Sequence, residues 1–240
     1  MTGVQTCALP ILRLELLNHP QLALRLAVAH MISGSGLWQV KPDPQRADKP
    51  EIKASVMQSK AQNDFEEKRK LILDLLGLDT DRGELVRPNG GDYQAVVILA
   101  QLLKLTDDEV LHVLTFAMAE TLEAGTFLVE AVGVRTATDM SSTWQADETF
   151  LSLLAGKDVL HAILSELGGS TVADGNKGET MRVQKGIIHD YLTGSNGRSQ
   201  VQNWLPPYAR FPTASYTERG GTGSCESWKK VAALFENASA

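Results

Sequence analysis

Cysteine is nearly absent. Cys7 and Cys225 are the only two in 240 residues, which leaves room for at most one disulfide and offers no metal-ligand spacing. Aromatic residues make up only 6%, so a core must be built mainly from Leu, Val, Ile and Ala. The longest apolar run, Ala95 to Ala100, falls far short of the ~20 residues that a membrane span requires. No Lys/Arg-led leader opens the chain, because Met1 to Pro10 holds no basic residue before its short apolar stretch. A reducing, cytoplasmic setting without membrane partners is therefore expected. Basic residues are scarce in the middle third: residues 91–170 carry 3 basic against 12 acidic groups, whereas 1–90 carry 12 against 11 and 171–240 carry 8 against 6. Nucleic-acid affinity depends on neutralising phosphates, so the middle third is a poor DNA surface.

What is present is the composition of a folded globular chain. With 43% hydrophobic and 22% charged residues and a net charge of −6, it excludes a disordered tail, a collagen-like repeat and a disulfide scaffold. At about 150 residues per domain, the length suits one large domain or two small ones. Met1 to Ile11 (Met-Thr-Gly-Val-Gln-Thr-Cys-Ala-Leu-Pro-Ile) resembles the in-frame translation of a short-read sequencing adapter. Residues 1–11 are accordingly set outside the fold, and the native chain is expected to have an N-terminal part that is missing here. With Cys7 set aside, Cys225 alone remains and no internal disulfide can form.

Almost every periodic segment reads as helix. Pro20 to Ile32 repeats apolar residues at Leu22, Leu26 and Ala29 and stops at Ser33 to Gly36. Pro50 suits a first helical turn, and Ile52, Val56, Phe65, Ile72, Leu75 and Leu76 predict one long or broken helix to Gly77, with a solvated middle over Lys60 to Lys70. Asp79 to Asp92 is a loop. Tyr93 to Lys104 is apolar nearly all round, as in a central buried helix; a buried parallel strand is the alternative for its first half. Thr106-Asp107-Asp108-Glu109 is a capping box ahead of Val110, Val113, Leu114, Ala117 and Met118. Further helices are predicted over Thr126 to Val132, from an Asp147 cap to Gly156, from an Asp158 cap to Gly168-Gly169, and over Met181 to Leu192. Beyond Gly194 the prolines 206, 207 and 212 oppose helix, with room for one last helix over Ser227 to Phe235. The expected fold is all-α, a multi-helix bundle of about seven to nine helices with an irregular Pro/Gly-rich C-terminal segment. Its expected divisions are a helical segment at 12–36, a linker at 37–50, a helical domain at 51–195 and an irregular tail at 196–240.

Catalytic signatures are missing. His19, His30, His112, His161 and His189 make no His-x-x-x-His or His-Glu-x-x-His pattern. His112 and His161 sit within apolar helices and read as packing or surface residues; an enzyme would need them to converge with Glu120 in a cleft. His189-Asp190 reads as one polar face of a helix end. Gly220 to Ser224 lacks the Lys-Ser/Thr of a phosphate loop and reads as a flexible linker. Asp174 to Glu179 lacks the alternating ligands of a calcium loop and reads as a turn capping the next helix. Cys225 has no histidine partner and is not read as a nucleophile. No catalytic, cofactor-binding or metal residue is therefore assigned. The one cluster carried forward is Lys177, Arg182 and Lys185, with Arg182 and Lys185 three apart on one helix face: a candidate phosphate contact, or a solvated face.

Residues 144–208 contain Trp144, Asp147-Glu148-Thr149-Phe150-Leu151, Leu154, Lys157, Val159-Leu160, then Gly178-Glu179, Lys185 and Trp204-Leu205-Pro206-Pro207. This order is similar to the C-terminal region of ParB-like partition proteins from alphaproteobacterial plasmids and chromosomes. Leu12 to Ile32 resembles the helical region that follows their DNA-binding module. The sequence departs from that pattern at Gly168 to Gly178 and beyond Tyr216. The resemblance implies partition or a related DNA-binding regulatory role, a homodimer, and DNA contact through an upstream ParB/sulfiredoxin-like domain and helix-turn-helix. It implies no catalytic residue here. The alternative is a helical protein-interaction scaffold unrelated to DNA, anchored by exposed aromatics such as Trp204 and Tyr208.

Overall fold

The computed structural model describes residues 13, 15–34, 38–43, 49–217, 222–224 and 226–235. The segment 1–11 with Cys7, Gly220, Gly221 and Cys225 lie outside them. The fold is all-α. Its helices are α1 (Pro20–Ser33), α2 (Pro50–Gln58), α3 (Lys60–Leu75), α4 (Gly91–Leu102), α5 (Asp107–Glu120), α6 (Phe127–Arg135), α7 (Glu148–Leu153), α8 (Lys157–Gly168), α9 (Ser170–Gly175), α10 (Met181–Thr193) and α11 (Glu226–Phe235). A single two-stranded antiparallel ribbon, β1 (Ala214–Tyr216) with β2 (Thr222–Ser224), is the only sheet among the described residues.

Local chemistry sets most boundaries. Thr106 Oγ1 accepts from Glu109 N at 3.3 Å while Glu109 Oε2 accepts from Thr106 N at 2.8 Å, so the predicted capping box forms. The Asp147 cap also forms, accepting from Phe150 N at 2.7 Å. The predicted helix from Pro50 breaks at Ser59, which leaves helical dihedrals at ψ 145° and whose Oγ accepts from Gln62 N. The strand alternative for Tyr93 onward gives way to α4. Asp158 is not a cap: Gly156 precedes α8, and Asp158 lies in its first turn, where a carboxylate favours the positive end of the helix dipole.

Contacts divide the chain into two units, Met1–Gln45 with Asp64–Glu123, and Arg46–Asn63 with Ala124–Ala240. Two boundaries, after Asn63 and after Glu123, fall inside the stretch 51–195 expected as one domain, because the apolar side chains collect into two separate cores. The first gathers Val28 and Ile32 of α1, Leu73 and Leu76 at the end of α3, Leu85 and Val86, Ile98 and Leu102 of α4, and Val110, Val113 and Ala117 of α5. The second gathers Phe150, Leu151 and Leu154, Leu160, Ile163, Leu164 and Leu167 of α8, Ala173 and Ile188, with Trp144 and Trp204 packed against them.

Buried polar groups lock the first unit. Arg25 donates from Nε to Leu102 O at 3.1 Å and from Nη2 to Leu105 O at 2.9 Å, and pairs with Asp107 at 2.7 Å. It thereby ties α1 to the end of α4, at Leu102 O (which also accepts from Leu105 N), and to Leu105 O in the turn that follows. Glu120 accepts from Arg69 Nε at 3.1 Å, Leu85 N at 3.0 Å and Val86 N at 2.7 Å. Lys60 to Lys70 is thus not uniformly solvated: Arg69 is buried between Glu120 and Glu66. In the second unit, Glu130 accepts from the N–H and hydroxyl of Thr213.

Candidate functional site

The three candidate cations gather around the turn from α9 into α10. The backbone N–H of Asn176 bonds to Val172 O and Ala173 O, and its side-chain amide donates to Val172 O at 2.8 Å. Gln184, 1% exposed, donates to Asn176 O at 2.8 Å and so pins this turn onto α10. Thr180 caps α10, its hydroxyl accepting from Val183 N at 3.3 Å. The predicted turn over Asp174 to Glu179 therefore exists, but Thr180 supplies the cap. Asp174 itself lies in the last turn of α9 and faces His161 Nε2 at 3.5 Å.

This arrangement divides the cluster. Lys177 and Arg182 are exposed, Arg182 in the first turn of α10, where the helix dipole adds to its positive potential. Lys185 is half-buried and donates from Nζ to Ser152 O at 3.3 Å, so it fastens α10 to α7. Two cations are thus presented to solvent and the third makes an internal contact. Glu179 is exposed beside them and reduces the local positive charge.

The other candidates take structural places. Glu120 is consumed by Arg69 and two backbone N–H groups, and His112 is exposed on α5. His30 stacks on Trp38 with ring centroids 5.7 Å apart. Among the described residues no group of three or more His, Cys, Asp or Glu side chains is placed to hold a metal ion. No described helix is long and apolar enough to cross a membrane. Of the predicted linker Gly220 to Ser224, Thr222 to Ser224 form β2 instead. Trp204 is not an exposed anchor: it packs on the second core and donates from Nε1 to Glu166 at 2.9 Å. Tyr208 keeps 41% of its surface exposed, and burial of the rest, then Glu166, pushes its phenol up to about 12.

Two features of the first unit escape sequence reasoning. A cavity of about 460 Å³ is lined by Ser33, Arg82, Glu84, Arg87, Gly90 and Gln94 among others. Burial first, then the like charge of Arg87, lowers the Arg82 guanidinium from its ordinary value. The second is an apolar groove of about 660 Å³ between α3 and α5, lined by Phe65, Leu71, Ile72, Leu75 and Phe116. Neither leaves a local sequence signal, since Arg82 and Arg87 lie in a loop and the groove joins residues some forty apart. Glu120 does leave one: it continues the stripe of Val113, Phe116 and Ala117, so a carboxylate on that face implies a buried partner. The chain matches no family model, no curated protein and no solved structure.

Proposed function

We propose that this chain is the C-terminal helical part of a ParB-like DNA-binding protein, acting in plasmid or chromosome partition or a related regulation, through self-association or support of DNA contact in the cytoplasm. Nucleotide handling and the main DNA contact are assigned to upstream sequence, and no catalytic step is assigned to this chain. The observation that carries the local part is the pairing of exposed Lys177 and Arg182 at the buttressed turn before α10. Two cations held on a rigid element suit auxiliary phosphate contact; they are too few for specific recognition.

Recovering the upstream reading frame tests the identity. A Gly-Glu-Arg-Arg-type nucleotide motif and a helix-turn-helix are expected there, and finding neither overturns the reading. Retention on duplex DNA tests the local part. The Lys177→Ala/Arg182→Ala variant is expected to bind more weakly across all sequences, with the salt slope reduced by about 1 for each phosphate no longer neutralised. Unchanged retention and slope remove these residues from the interface. A scaffold unrelated to DNA, using exposed apolar residues of α4 and Tyr208, instead predicts association indifferent to salt and no DNA retention.

A further inference from the structure

Helix α4 is apolar on two opposite faces. Ala95, Ile98 and Leu102 are buried in the first unit, yet Tyr93 is 81% exposed, Val96 57% and Leu103 56%, with Ala100 exposed between them. Their intervals are three, four and three residues, which is the a/d spacing of a helix–helix seam. Single apolar residues scattered over a surface are ordinary, but a continuous stripe along three turns is not. A surface helix normally carries polar groups on that face.

The stripe is its own complement. When a second copy is laid end for end about the level of Ile98, Tyr93 meets Leu103 and Val96 meets Ala100, and each pair recurs by the two-fold symmetry. Large side chains thus meet partners of graded size, and Ala100 lets the backbones approach closely. The same operation brings Asp92, in the first turn of α4, level with Lys104 at the far end of the other copy. The helix dipoles also oppose favourably. A parallel pair would instead set Asp92 against Asp92 and Lys104 against Lys104.

We infer that the exposed stripe of α4 is the seam of an antiparallel, two-fold homodimer, its partner a second copy of this chain. The inference rests on the self-association half of the proposed function and is independent of DNA contact. Sedimentation velocity of the full chain, from low micromolar to near-millimolar concentration, should give a monomer–dimer equilibrium between 26.1 kDa and twice that mass. Val96→Glu, which buries a charge in the seam, should weaken dimerisation about tenfold or more. Lys104→Asp places like charges level and should weaken it as well, while Asp92→Lys combined with Lys104→Asp should restore it. These charge exchanges lie at exposed positions, so circular dichroism should show an unchanged helix content. In a Cys7→Ser/Cys225→Ser background, a mixture of Val96→Cys and Ala100→Cys chains should crosslink across the seam, whereas neither chain alone should. A monomer at every concentration overturns both the seam and the self-association reading. A dimer indifferent to Val96→Glu and to the charge exchange overturns the seam alone, and DNA retention of the same samples reports separately on the DNA reading.

Discussion

Glu120 is 7% exposed, a position where an unpaired carboxylate would be costly. It is tolerated because both oxygens accept bonds, from Arg69 and from the backbone of Leu85 and Val86. Glu120→Ala leaves the buried Arg69 guanidinium with Glu66 alone and strands two buried N–H groups. Urea unfolding should show a loss of about 3–5 kcal/mol, the range for breaking a buried pair. Replacing Arg69 and Glu120 together by Met and Leu should cost less than Glu120→Ala alone, because no buried charge is left short of a partner; Glu66, which loses Arg69, is the more exposed carboxylate. Tyr208 and Tyr216 make a different point. Burial is the leading cause of a raised phenol in both, with Glu166 next. The folded phenols stay neutral while those of the unfolded chain ionise near 10, so their contribution is complete below pH 10, and that of Tyr208 fades as pH climbs to about 12. Helix content followed through that window should fall less steeply in a Tyr208→Phe/Tyr216→Phe variant than in the parent. Equal slopes would mean that neither phenol matters.

At the scale of elements, helices whose ends carry their own chemistry are readable in the sequence. Thr106 to Glu109 specifies its helix start within four residues, and Asp147 to Phe150 likewise. Thr106→Ala should therefore cost about 1 kcal/mol in thermal or urea unfolding, with early hydrogen exchange in the first turn of α5. Elements whose ends depend on distant partners are not readable. The six residues of α9 follow Gly169 at φ +82° and look like an insertion in sequence. The strands β1 and β2 are three residues each, too short for a period-two pattern. Composition also misleads on α4: apolar residues all round predict burial all round, whereas one face packs inside its unit and another remains open. Gly34 reads in sequence only as a stop signal. Its φ is +72°, and a Cβ would run into the Pro88 carbonyl, so Gly34→Ala should destabilise the first unit by about 1–3 kcal/mol.

On the scale of the molecule, periodicity identifies helices but not the core to which each belongs. The stripes of α5 and α8 look alike in sequence, yet Val113 belongs to the first core and Ile163 to the second. Each core has enough fully buried aliphatic residues to report on its own unit. Leu73→Ala in the first and Leu164→Ala in the second should each cost about 2–5 kcal/mol, with reduced hydrogen-exchange protection mapping to α3–α5 and to α8–α10 respectively. The candidate cations are legible as residue types but not as roles, because only the path of α7 puts Ser152 O within reach of Lys185.

The bonds of Trp204 to Glu166 and of Thr213 to Glu130 fasten the same stretch of chain at two points. Between them lies Arg210, exposed and followed by Phe211, hence a substrate for trypsin. A molecule clipped there keeps its severed tail: the cut product should migrate as one particle in a native gel and separate into two bands only after denaturation.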